Sequence, residues 1–202
     1  MNTAPVSGQN RFLQSRGLLS PLGSSGTPVH AVQGTCVFIS HKREDGDAAI
    51  AAADTLQKVG VDVWLDVNEL DAKSPTTVEE HRKPTEAIET GLRNSSHLLA
   101  LITPRTQASW WVPYEIGTSR ALGRQLAFFL HKNVSLSSYM YLGDWIDDQE
   151  TFYTWAEKLS RTPELAANWR RLERLSTSAL DRFLPKHKGP SSFSVESNNH
   201  NG

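Results

Sequence analysis

Residues 35–66 have the sequence TCVFISHKREDGDAAIAAADTLQKVGVDVWLD. This stretch predicts a strand, a helix and a second strand, and that order indicates the class of fold. The short continuous apolar run at 36–39 is typical of a strand buried on both faces. Apolar residues recur at helical spacing from 49 to 59, and Gly60 stands where a helix-ending glycine belongs. Residues 61–66 alternate with a period of two, which predicts a strand that ends in the carboxylate of Asp66.

The same alternation continues along the chain. A helix begins near Pro84, which suits a first turn, and the apolar runs at 97–102 and 125–130 predict two further buried strands. We expect the remaining elements at these positions: a helix over 110–123, a fifth strand within 134–142, and helices over about 148–159 and 163–183. This order predicts an α/β fold, a flavodoxin-like three-layer sandwich with a mostly parallel five-stranded sheet.

Composition separates one domain from two tails. Residues 1–34 and 185–202 are rich in small and polar residues and bury too little apolar surface to offset their ordering entropy, so we expect flexible tails. Residues 35–184 are then a single domain. We expect a cytoplasmic protein, because the one cysteine, Cys36, suits a reducing compartment and no segment approaches the roughly 20 apolar residues of a membrane span.

Several classes of function lack their sequence requirements. The net charge of −1 does not favour nucleic acid or an anionic membrane surface as a partner. The first strand is not followed by the glycine pattern of a dinucleotide-dependent dehydrogenase, and the chain has no P-loop lysine motif. The histidines have no metal-ligand spacing, so we predict no metal site.

Ligands of open α/β sheets bind outside the carboxyl ends of the strands, and polar residues stand at two of these ends. Ser40, His41 and Lys42 follow the first strand and either contact the diphosphate or adenine of a dinucleotide, with Phe38 stacking from below, or form an unliganded polar turn. Asp66 ends the second strand and either binds ribose hydroxyls or caps a loop turn.

An ordered set of short motifs resembles the TIR (Toll/interleukin-1 receptor) domain family over most of residues 35–132. The motifs, in chain order, are VFISH at 37–41, VWLD at 63–66 followed by Glu69-Leu70, Ile88-Glu89 with Ser95-Ser96, ITP at 102–104 and SWWVPYEI at 109–116. The long polar segment after Asp66 is similar to the variable BB loop of that family. Each motif is weak alone, and their order carries the resemblance.

The resemblance implies a catalytic glutamate. In enzymatic TIR domains this residue follows a tryptophan by four positions, and Trp111 with Glu115 matches that spacing. An i, i+4 pair lies on one face of a helix, so the indole would form a wall of the pocket into which the carboxylate projects. On spacing alone, Glu115 is better interpreted as a solvated first-turn glutamate favoured by the helix dipole, and the resemblance reverses that preference.

The implied reaction is cleavage of the nicotinamide–ribose bond of NAD, which is then a substrate and not a cofactor. The products would be nicotinamide and ADP-ribose or a cyclic ADP-ribose isomer. The chain resembles bacterial stand-alone TIR proteins, including those of the Thoeris anti-phage system, whose product signals to a separate effector. Self-association through residues 68–77 is implied as well. The alternatives are a non-catalytic TIR interaction module and, ranked below it, a nucleoside deoxyribosyltransferase-like protein.

Overall fold

A computed structural model describes residues 7–15, 34–65, 78–131, 134, 136–160 and 179–185. Five parallel strands form one sheet in the order β2-β1-β3-β4-β5. The strands are β1 (Cys36–Ser40), β2 (Asp62–Trp64), β3 (His97–Ile102), β4 (Gln125–Leu130) and β5 (Asp144–Ile146). The predicted flavodoxin-like α/β fold with a five-stranded sheet is therefore confirmed.

Five α-helices are present in the described part of the chain: α1 (Arg11–Ser15), α2 (Gly46–Lys58), α3 (Val78–Arg93), α4 (Trp111–Ala121) and α5 (Gln149–Leu159). Short 3-10 helices cover Arg43–Asp45, Thr106–Ala108, Ser138–Leu142 and Ala179–Arg182. None of the helices in these ranges is long and apolar enough to cross a membrane.

The sheet separates two apolar cores. Successive strand residues point to opposite faces, so Val37 and Ile39 pack with α2 and α5, whereas Cys36 and Phe38 pack with α3 and α4. Every residue of β1 is buried, as a central parallel strand covered by helices on both faces requires. This arrangement leaves the carboxyl ends of β1 and β3 as the natural place for a ligand.

The fifth strand lies later in the chain than predicted. Of the predicted range, the described residues 134 and 136–142 contain a 3-10 helix, Ser138–Leu142, and no strand, and Met140 is buried in the core on the α3 and α4 face. The expectation is wrong because the apolar side chains of this segment fill that core without pairing with β4. The true strand, Asp144–Ile146, follows Gly143, where a Cβ atom would lie 2.4 Å from the carbonyl oxygen of Leu126.

Helix α3 begins before the residue predicted to start it. Pro84 lies inside α3 and not in its first turn, because the helix already begins at Val78. Proline removes one backbone hydrogen bond from a helix interior and is tolerated there when the rest of the helix is held in place. Here Leu92, near the carboxyl end of α3, is fully buried in the core.

Part of the predicted N-terminal tail belongs to the fold. Residues 7–15 pack along the outer edge of β2, with the amide of Val63 donating to the carbonyl of Gln9 at 2.9 Å. The expectation is wrong for this segment because backbone pairing, an ion pair and the burial of one ring, Phe12, hold it in place despite its polar composition. Residues 1–6 and 16–33 of the predicted N-terminal tail lie outside the described residues. The C-terminal tail beyond residue 185 and most of the predicted helix over 163–183 lie outside them as well.

Candidate functional site

Ser40 and Glu115 meet at the carboxyl end of β1. The sheet order reverses between β1 and β3, and ligands of doubly wound sheets bind at such a switch point. The Ser40 hydroxyl donates a hydrogen bond to Oε2 of Glu115. Both side chains are buried, with exposed fractions of 1% for Ser40 and 5% for Glu115. The carboxylate is therefore held away from bulk water in one orientation.

Glu115 faces a small aromatic cavity of about 40 Å³. Its walls come from β1, β2, α3 and the N-terminal segment: Phe12, Phe38, Ile39, His41, Trp64, Ala87 and Ile88. The glycine of α3, Gly91, allows two of these rings to pack against the helix, because a Cβ there would lie 2.4 Å from Nε1 of Trp64 and 2.7 Å from Cε2 of Phe38. The site thus combines one buried carboxylate with two flat aromatic walls.

Helix α4 is fixed at both its start and its exposed face. Oγ of Ser109, two residues before the helix, accepts a hydrogen bond from the amide of Val112 in its first turn at 3.3 Å. The Tyr114 hydroxyl donates to Oε1 of Glu89 on α3 at 3.0 Å, and this bond raises the pKa of Tyr114. Glu115 therefore projects from a helix that is tied to α3 and packed on the sheet.

An ion pair between the exposed Arg105 and the buried Asp45 joins the loops after β1 and β3. Oδ1 of Asp45 accepts from Nη1 of Arg105 at 2.8 Å, and Oδ2 accepts from the Thr103 hydroxyl at 2.8 Å. Asp45 is buried, although it stands in the charged run at 42–45, which by its composition alone is typical of solvated surface. A carboxylate is seldom buried unless it is paired, and Arg105 and Thr103 supply the pairing.

The structure brings together four of the predicted site residues. Phe38 and His41 line the cavity together with Glu115, and the Ser40 hydroxyl donates a hydrogen bond to the Glu115 carboxylate. Nδ1 of His41 lies 3.4 Å from the carbonyl oxygen of Ile39. This contact is typical of the turn-residue role that the sequence analysis left open for His41.

Two other predicted residues lie apart from the cavity. Lys42 pairs with Glu44 at 3.5 Å and is not among the cavity residues. Trp111 does not form a wall of this cavity; its indole is 39% exposed and makes an edge contact with Tyr114, with ring centroids 6.0 Å apart. Trp111 is the first residue of α4, and its ring contact is with the partly exposed Tyr114 and not with the residues around Glu115. Asp66 and residues 68–77 lie outside the described residues.

Sequence reasoning missed five wall residues, Phe12, Ile39, Trp64, Ala87 and Ile88. Trp64 alternates with Val63 at the end of β2, and that alternation already indicated which face it occupies. Ile88 lies four residues before the buried Leu92, and this helical spacing was the signal that could have placed it on the same face. Phe12 had no such signal, because it stands in a segment whose composition is that of a tail.

The arrangement can stabilise positive charge beside a flat ring. A fixed, partly desolvated carboxylate stabilises a developing cation more strongly than a solvated one does. Aromatic walls favour a planar ligand. Among the residues that the structure describes, no three His, Cys, Asp or Glu side chains are grouped so that they could hold a metal ion.

Comparison with known protein families adds one finding. A family model described as "TIR domain" matches residues 37–142, which span β1 through the 3-10 helix that precedes β5 and include both Ser40 and Glu115. A search of curated proteins found no match.

Proposed function

The chain belongs to the TIR domain family, and on that premise we propose that it is an enzyme that cleaves the nicotinamide–ribose bond of NAD with Glu115. One observation carries the proposal. A buried carboxylate, hydrogen-bonded by Ser40, faces a cavity with aromatic walls at the switch point of the sheet. A glutamate with only a solvated helical role would not be 5% exposed.

The proposed chemistry needs one carboxylate and an acceptor. The bond between C1′ of the ribose and the ring nitrogen of nicotinamide breaks, and its electron pair leaves with that nitrogen, giving neutral nicotinamide. Glu115 stabilises the positive charge that develops on the ribose. Water then adds at C1′ and loses a proton to give ADP-ribose, or a nucleophilic atom of the same substrate adds to give a cyclic isomer. NAD is the substrate, and no cofactor is required.

The biological setting is part of the proposal. We infer that the product is a signal in bacterial anti-phage defence, read by a separate effector, and that the protein works in the cytoplasm. Cys36, the one cysteine of the chain, is buried at 0% exposure and suits a reducing compartment. We also propose that the protein self-associates, as TIR enzymes do when they become active.

The decisive experiment compares the parent protein with Glu115→Gln at high protein concentration. We expect the parent to release nicotinamide from NAD, and Glu115→Gln to release it at least about a hundredfold more slowly. Glu157→Gln is a matched control, because Glu157 lies on α5, on the opposite face of the sheet. Products are separated by liquid chromatography and identified by mass spectrometry, which distinguishes ADP-ribose from a cyclic isomer.

A second candidate function is a non-catalytic interaction module. Its supporting observation is the exposed aromatic surface at the start of α4, where Trp110 is 92% exposed and Trp111 and Tyr114 are each 39% exposed. Exposed aromatic clusters are typical of protein-binding surfaces. If the parent releases no nicotinamide even at high concentration but sediments as an oligomer that Trp110→Ala disrupts, this second function is the better one.

A further inference from the structure

The N-terminal strap, residues 8–13, runs along the edge of β2, and its Phe12 is one of the residues that line the Glu115 cavity. The amide of Gly8 donates to the carbonyl of Gln57 at 2.8 Å, and the amide of Val63 donates to the carbonyl of Gln9 at 2.9 Å. Asn10 forms a parallel bridge with Val63. The strap therefore extends the sheet beyond β2 by strand addition, a mode by which extended segments bind exposed sheet edges.

An ion pair fixes the position of the strap along this edge. Nε and Nη2 of Arg11 donate to Oδ2 of Asp62 at 2.9 and 2.7 Å. The side chain of Asn10 donates to the carbonyl of Leu65 and accepts from the Leu65 amide, at 3.0 and 3.2 Å. These contacts depend on the side chains of Asn10 and Arg11 in the strap and of Asp62 in β2. A shift of the strap by one residue would break them, so they define a single register.

This register makes Phe12 one wall of the cavity and so reduces the space in front of Glu115. Its ring is 7% exposed and meets Trp64 edge to face, with centroids 6.1 Å apart and an interplanar angle of 71°. Phe12 and Glu115 line the same 40 Å³ space. Small-molecule sites occupy about 300–1,000 Å³, whereas the space left here suits only a few water molecules.

We propose that the strap is an internal inhibitor of the Glu115 site, in which Phe12 occupies the position of the flat aromatic ring of the substrate. NAD enters only after the strap leaves the edge of β2. This inference rests on the proposed function, and it adds the regulation of that site. The ligand class that follows from this inference is a planar ring packed against Trp64, in the place where the Phe12 ring now meets it.

Two substitutions release the strap by different physical routes. Phe12→Ala removes the ring from the cavity. Gly8→Ala leaves the cavity untouched, but its Cβ would lie 2.0 Å from the carbonyl oxygen of Val61, a backbone atom, so the strap must lift. Leu13→Ala is the control for the first, since Leu13 is 54% exposed, and Gly117→Ala is the control for the second, since a Cβ there meets no atom within 4 Å.

The test measures NAD binding and strap release separately. Binding is measured by titration calorimetry in a Glu115→Gln background, so that no ligand is consumed, and strap release is measured by hydrogen exchange at the Val63 amide. We expect Phe12→Ala and Gly8→Ala to tighten NAD binding by about tenfold or more, because burial of a phenylalanine ring favours the closed state by at least that factor. The two control substitutions should change binding less than about twofold.

The outcomes separate the strap from the catalysis. Tighter NAD binding in both release variants supports the role of the strap as an inhibitor. This holds even if protein with Glu115 intact releases no nicotinamide, because that result overturns only the proposed reaction. The inference is overturned if Phe12→Ala binds NAD no more tightly than Leu13→Ala does. It is also overturned if the parent cleaves NAD at a rate that neither release variant increases, in which case the proposed reaction stands.

Discussion

Removing the Ser40 hydroxyl should destabilise the protein through Glu115. In Ser40→Ala the buried carboxylate loses the donor that now contacts Oε2, while nothing else in the cavity changes. Hydrogen bonds to charged groups contribute about 1.5–3 kcal/mol, and both groups here are nearly inaccessible to water. We therefore expect Ser40→Ala to lower the free energy of unfolding by about 2 kcal/mol.

A double-mutant cycle with Glu115→Gln isolates this bond. Because the serine donates to the carboxylate, we expect the two substitutions together to cost less than the sum of their separate costs, with a coupling of about 1–2 kcal/mol. Ser119→Ala is a matched control on the same helix as Glu115. Its hydroxyl is buried with no hydrogen-bond partner among the described residues, so its removal should be neutral or slightly stabilising.

Urea unfolding followed by circular dichroism and tryptophan fluorescence gives the four free energies of the cycle. The reasoning fails if Ser40→Ala and Ser119→Ala have equal effects. It also fails if the two substitutions of the cycle are additive within about 0.5 kcal/mol, because contacting residues in one hydrogen bond should couple more strongly than that.

Three further predictions concern stability. Asp148→Ala should lower the unfolding free energy by about 1 kcal/mol in urea melts, since Asp148 caps α5 by accepting from its third amide at 2.7 Å, and an unchanged midpoint would contradict this role. Gly91→Ala should cost about 1–3 kcal/mol, because the new Cβ meets the buried Trp64 ring, whereas Gly117→Ala should not destabilise; equal costs would refute the packing argument. Burial lowers the pKa of His97 below its usual 6.5, so on acidification the unfolded chain binds a proton at a higher pH than the folded chain does. The free energy of unfolding should therefore fall as the pH drops below about 6.5, and His97→Gln should make this pH dependence less steep.

Sequence patterns predicted the elements of this fold wherever the signal was local. The spacing of apolar residues in β1, α2, β3 and β4 reflects whether one face or both faces of the element are buried. This spacing can be recognised from neighbouring residues alone. The fifth strand could not be predicted in this way. Asp144–Ile146 is only three residues long, and the more apolar segment before it packs into the core as a loop, so hydrophobicity pointed to the wrong place.

The candidate site also contains residues that the sequence predicted and contacts that it could not predict. Glu115 was found from its spacing to Trp111 and from the resemblance of the surrounding motifs, and Ser40 from its position after a strand. The pairing of these two side chains, the burial of Asp45 and the turning of Trp111 away from the cavity were decided only by the tertiary structure. Phe12 is the clearest case, since nothing near it in the chain marks it as a wall of the site. Local sequence determines which face of an element is apolar, whereas contacts between distant segments depend on how those faces assemble around the sheet.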